Sequence, residues 1–89
     1  MAYRIDIRSG ARRDIRQLQR SNNPIVARVD DAILALASDP RPSGVIKLQA
    51  EEGVYRVRVG DYRILYGIDD ERQCVAIDRV VHRREAYGR

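Results

Sequence analysis

The chain has 89 residues, 44% of them hydrophobic and 34% charged, the balance of one small soluble globular domain with a modest core. Its formal net charge is +4, and of its 17 basic residues only Lys47 is a lysine, which favours anionic partners such as nucleic acid or an acidic protein segment. The single cysteine, Cys74, excludes an intrachain disulfide and a cysteine zinc site, and no apolar run approaches membrane-spanning length. Residues 3 to 8 alternate, with Tyr3, Ile5 and Ile7 against Arg4, Asp6 and Arg8, so a short strand with one wet face opens the chain. No signal peptide is seen there, and a cytoplasmic location is expected. Ser9 suits an N-cap. A helix then runs to residue 20 on Ala11, Ile15 and Leu18, with Arg12, Arg13, Arg16 and Arg20 on its other faces. Asn23 can cap a second helix with Pro24 in its first position, carried to about residue 38 by Val26, Val29, Ile33, Leu36 and Ala37.

Residues 39 to 44, rich in Pro, Gly and Ser, form a loop. Residues 45 to 48 read as a short strand or bend, and residues 49 to 53 as a polar turn holding the loop charges Glu51 and Glu52. Two Val-, Ile- and Tyr-rich arms follow, residues 54 to 59 and 62 to 66, joined at Gly60-Asp61 as a tight hairpin. A second turn spans residues 69 to 73. A continuous strand is expected from Cys74 to Val81, with Cys74 as a buried structural thiol, and then a polar, cationic tail. The predicted fold class is α+β and two-layer: an N-terminal strand, a helical hairpin, then an antiparallel sheet of three to four strands with one open basic face. The whole of residues 1–89 reads as a single domain, and no helix is left over to cover the second sheet face.

The hairpin turn sets a register in which Val59 faces Tyr62, Val57 faces Ile64 and Tyr55 faces Tyr66 on one side. The other side then carries Arg58 opposite Arg63, with Arg56 facing Leu65. Like charges paired across strands cost stability. A bound anion accounts for their placement. A merely solvated face in an Arg-rich protein, whose codons have drifted from Lys, is the competing account. The tyrosines of the hairpin share the apolar side and read as packing.

The hairpin at residues 55–66 and the ending His82-Arg83-Arg84-Glu85-Ala86-Tyr87 resemble the RelE branch of the RelE/ParE toxin superfamily. Ala2-Tyr3-Arg4-Ile5 and Lys47-Leu48 are similar as well, so the resemblance spans nearly the whole chain. It implies a toxin of a type II toxin–antitoxin pair that enters the ribosomal A site, cleaves bound mRNA and is silenced by a cognate antitoxin. By resemblance Arg56, Arg58, Arg63, Arg83 and Tyr87 occupy the catalytic positions; Arg56, Arg58, Arg84 and His82, within reach of the arginine face, are expected to contact RNA. Positions that are lysine in some members are arginine here, and the interval from Arg83 to Tyr87 is shorter.

The chemistry suits these residues. RNA is cut when its own 2′-OH attacks the adjacent phosphate, and fixed guanidiniums stabilise the charge that develops. Arg63 and Arg83 are expected to clamp the phosphate, with Arg56 and Arg58 assisting. Arginine stays protonated near neutrality and is a poor base. Tyr87 could stack on a base or move a proton, and His82, the single histidine, could serve as acid or base or simply end a strand. No metal site and no cofactor is expected. The alternatives are a ParE-type toxin that poisons gyrase, or a non-catalytic module that binds an acidic peptide.

Overall fold

The two arms flanking Gly60 pair as antiparallel strands β3 (Val54–Val59) and β4 (Tyr62–Asp69) in the computed structural model, which describes residues 2–42, 45–47 and 53–87. Val59 lies opposite Tyr62, Val57 opposite Ile64, Tyr55 opposite Tyr66 and Arg58 opposite Arg63, the register that strict alternation demands. Gly60 sits at φ +59, where a side chain costs about 1–2 kcal/mol. A Cβ there would also stand 3.0 Å from Ile25 Cδ1. The turn therefore needs glycine for its conformation and again for its close approach to a helix.

β4 continues antiparallel into β5 (Cys74–His82), and β1 (Arg4–Ile7) lies parallel to the outer edge of β5. A two-residue β2 (Ile46–Lys47) flanks β3, so the strand order among the described residues is β1-β5-β4-β3-β2. A parallel β1–β5 pair requires a crossover, and the helices α1 (Ser9–Arg20) and α2 (Ile25–Ser38) begin that connection. They cover one sheet face. Val29, Ile33 and Leu36 from α2, with Ala11 and Leu18 from α1, meet Ile64, Tyr66, Val75 and Ile77 in the core. Among the described residues no helix is long and apolar enough to cross a membrane.

Several local expectations shift. Ser9 is the first helical residue of α1 rather than its cap; Arg8 holds the cap position without a side-chain bond. Asn23 does cap α2, since its Oδ1 accepts the Ile25 N–H at 3.0 Å, while Pro24 stands just before the helix. The tail is not plain coil: His82 ends β5, and a third helix, α3 (Arg83–Tyr87), turns back against β4 and β5. Cys74 is half-buried on the sheet face away from α1 and α2 instead of lying in the core. The strand from Cys74 is also not regular. Tyr66 pairs with Ile77 but Leu65 pairs with Arg79, so Asp78 is an extra residue, a bulge.

The bulge has a local cause. β1 stops pairing at Ile77, which leaves the rest of β5 as a bare edge. Asp14 of α1 takes the place of a neighbouring strand there. Its carboxylate accepts the Val80 N–H at 2.8 Å and a bidentate pair from Arg79, Nε at 2.7 Å and Nη2 at 3.1 Å. Gly10 lets α1 approach: a Cβ at this position would meet Arg79 Cδ at 2.9 Å and Asp78 O at 3.0 Å.

At the end of the sheet away from the hairpin turn, three segments are tied by one carboxylate. Asp70 accepts Arg41 Nη2 at 2.8 Å, Arg41 Nη1 at 3.2 Å and the Tyr3 hydroxyl at 2.6 Å. Arg41 also donates to the Tyr55 hydroxyl at 3.2 Å, with its guanidinium 5.3 Å from that ring. Below, the Tyr66 ring is fully buried beside Tyr55, and its hydroxyl donates to Pro40 O at 2.6 Å. Burial is the main cause pushing that hydroxyl up to about 12.

Gly60→Ala should lower the unfolding free energy by about 1–2 kcal/mol in urea titration, from the left-handed backbone alone. The bonds from Arg41 and then Tyr3 pull the Asp70 carboxyl down from 3.8 to about 2. A depressed carboxylate adds stability at high pH that disappears as it protonates. The stability gap between the wild type and Asp70→Asn should therefore be full above the ordinary aspartate value of 3.8 and shrink as pH falls towards about 2, as read by thermal melts across acid pH.

Candidate functional site

Strand pairing alone places Arg58 and Arg63 side by side next to the turn. Their side chains then converge on a single acceptor. Arg58 Nε donates to Gly60 O at 3.3 Å, and Arg63 Nη1 donates to the same oxygen at 3.4 Å and to Tyr62 O at 3.0 Å. The shared carbonyl offsets part of their mutual repulsion. It also fixes where both cations point. Arg63 is the surprise: it is only 6% exposed, whereas Arg58 is exposed. Its cross-strand neighbour Val81 is equally buried, at the end of the sheet that α3 contacts. A buried guanidinium has few rotamers left and is held ready.

Arg83 arrives from the other side of the same turn. Its N–H donates to Asp61 O at 2.8 Å, extending the β4–β5 ladder by one bond. Its Nε stands 4.0 Å from Asp61 Oδ1, and the side chain is 55% exposed. At that range and exposure the pair is worth little, so Arg83 can turn to a stronger anion. Arg58, Arg63 and Arg83 thus gather around Gly60-Asp61. Arg56 is half-buried on the same strand face as Arg58, further from the turn and opposite Leu65.

Other expected site residues fall elsewhere. His82 pairs with Tyr62, so it belongs to the helix-side face. Its ring packs edge-on against Tyr62 with centroids 5.3 Å apart, and its Nδ1 accepts the Arg84 N–H at 3.3 Å. Arg84 is exposed on α3. The Tyr87 backbone ends α3, and its side chain lies outside the described residues.

One residue at the turn was not anticipated. Arg28, exposed on α2, brings Nη1 within 3.3 Å of where a Gly60 Cβ would be. Nothing local in the sequence marks it, because the contact joins segments far apart in the chain. Asp14 is different. It is the single acid among the arginines of α1, and that isolation is a signal for its brace on Arg79.

The chain is thus a small α+β domain with cations from three elements gathered at one hairpin tip. The family described as "ParE toxin of type II toxin-antitoxin system, parDE" matches residues 5–87. The chain is 36% identical over 89 residues to Toxin RelG of Mycobacterium tuberculosis, covering 100% of both. It is 33% identical over 86 residues to Toxin RelE of the same organism, covering 96% of this chain and 86% of that one. The crystal structure of the toxin–antitoxin complex RelBE2 from Mycobacterium tuberculosis matches at TM-score 0.76 and 34% identity, over 92% of this chain and 99% of that chain. The intact E. coli RelBE toxin–antitoxin complex shares the fold, at TM-score 0.76 and 22% identity, over 91% of this chain and 96% of that one. The chain belongs to the RelE/ParE superfamily, on its RelE branch, and is a toxin of a type II toxin–antitoxin system.

The difference in burial between the paired arginines has a measurable consequence. Arg63→Ala removes a buried side chain and the bonds it donates to Gly60 O and Tyr62 O, and should cost about 2 kcal/mol in chemical denaturation. Arg58→Ala, on the exposed partner, should stay within about 0.5 kcal/mol of the wild type.

Proposed function

We propose that this toxin is an RNA endonuclease acting on mRNA in the ribosomal A site. The observation that supports this reading most is the convergence of Arg58 and Arg63 on Gly60 O, with Arg83 across the turn. The 2′-OH of one nucleotide gives up its proton as its oxygen attacks the adjacent phosphorus, the bond to the 5′-oxygen breaks, and that oxygen takes up a proton. A 2′,3′-cyclic phosphate and a 5′-hydroxyl result. Negative charge builds on the phosphorane oxygens, where prefixed cations act most strongly.

Arg63, immobilised by backbone carbonyls, holds one phosphate oxygen. Arg83 leaves its weak pairing with Asp61 to hold another. Arg58 assists from the exposed partner position, and Arg56 and Arg84 bind flanking backbone. Tyr87 is the candidate for stacking or proton transfer. His82 supports the reading through structure: with its ring against Tyr62 and its Nδ1 bonded to the Arg84 N–H, it steadies the start of α3. Relatives occur in toxin–antitoxin complexes, RelBE2 of Mycobacterium tuberculosis among them. A cognate antitoxin with an acidic segment over the arginine cluster is the partner this favours.

The test is induction of the toxin alone in cells, with mapping of new 5′ ends on translated mRNA. Cuts inside reading frames are expected, falling by about 100-fold or more in Arg58→Ala and Arg83→Ala. Arg63→Lys, which keeps the charge but not the fork, tests the clamp without emptying the site. Double-strand DNA breaks with intact mRNA would move the protein to gyrase poisoning. Absence of any growth effect would end the nuclease reading.

A further inference from the structure

The hairpin tip is seated on α2, and the charged residue that meets it there is Arg28. Its Nη1 and Cζ lie 3.3 Å and 3.9 Å from the place of a Gly60 Cβ, so the guanidinium rests against bare glycine on the helix side of the turn. It is exposed, and it makes no ion pair among the described residues. An acid is available to it: Asp31 lies one helical turn along, at the spacing that suits a pair. Arg28 lies against Gly60 instead, the residue whose carbonyl accepts from Arg58 and Arg63 on the other side. Arg41, Arg72 and Arg79 each do pair with an aspartate.

We infer that Arg28 is a substrate-binding residue that takes the mRNA phosphate flanking the one held by Arg58, Arg63 and Arg83. The RNA strand then bends round the hairpin tip, from the sheet face towards the helix layer. This inference rests on the RNA reading above and extends it to a second phosphate. An arginine at such a site supplies a fixed fork rather than a mobile point charge, so lysine should serve it only in part.

Purified ribosomes with an mRNA codon in an empty A site provide the assay, read as single-turnover cleavage against toxin concentration. Arg28→Gln should raise the half-saturating concentration about 5-fold with the maximal rate unchanged, the pattern of lost uniform binding. It should also flatten the dependence of log affinity on log salt by about 0.7, one phosphate contact on a single strand. Arg28→Lys should recover part of the loss. Arg13→Gln, on the exposed face of α1, removes the same net charge and should change little. An mRNA with an uncharged methylphosphonate flanking the scissile bond should weaken the wild type but not weaken Arg28→Gln further. Equal effects of Arg28→Gln and Arg13→Gln would overturn the assignment. So would additive losses from Arg28→Gln and the methylphosphonate, or weakened antitoxin binding with cleavage intact. A wild type that leaves the mRNA whole would overturn the nuclease reading itself, a separate result.

Discussion

One carbonyl oxygen organises the working end of this molecule. Gly60 O accepts from both Arg58 and Arg63, and it can do so because Gly60 adopts a left-handed backbone that a side chain would resist. The same missing side chain allows the turn to settle against Ile25 and Arg28. Cations crowded together repel, and they must be held by something other than their own counterions if they are to stay available. Backbone dipoles do this without neutralising them. The fold thus gathers positive charge at one point of the sheet.

That point is supported from behind. The paired strands bring Arg63 and Val81 together, the Asp14 brace finishes the edge of β5, and the end of β5 delivers Arg83 to Asp61. The far end of the sheet is secured separately by Asp70, which binds Arg41 and Tyr3 at once. Arginine therefore plays opposed parts in a single small domain. Arg41 and Arg79 are spent on structure through bidentate contacts with aspartates, whereas Arg58 donates to a backbone carbonyl and Arg28 lies against the turn glycine.

Much of this was readable from residue order. Alternation in Val54–Val59 and the glycine after it determined the register of β3 against β4, and with it the Arg58–Arg63 pair. The apolar stripes of α1 and α2 marked their buried faces, Leu18, Val29, Ile33 and Leu36 among them. What escaped was tertiary. An arginine reads as exposed, so the burial of Arg63 had no signature. α3 is too short to show a helical period. Arg28 looks like any solvated cation on a helix until the turn is seen resting on it. The bulge did leave a trace, since the apolar positions 75 and 77 are followed by 80 instead of 79, but adjacent valines at 80 and 81 obscure it.

The facing of the end of β5 depends on the bulge at Asp78. Up to Ile77 the odd-numbered residues face the core; beyond the extra residue the even-numbered ones do, Val80 with Ile64 and His82 with Tyr62. Were its nine residues paired in regular alternation, with Asp78 opposite Leu65, inside and outside would be exchanged along the last stretch. Arg79 would turn inward, Val80 would turn outward, and α3 would set off from the wrong side of the sheet. Counting, as much as chemistry, delivers the final arginine to the tip.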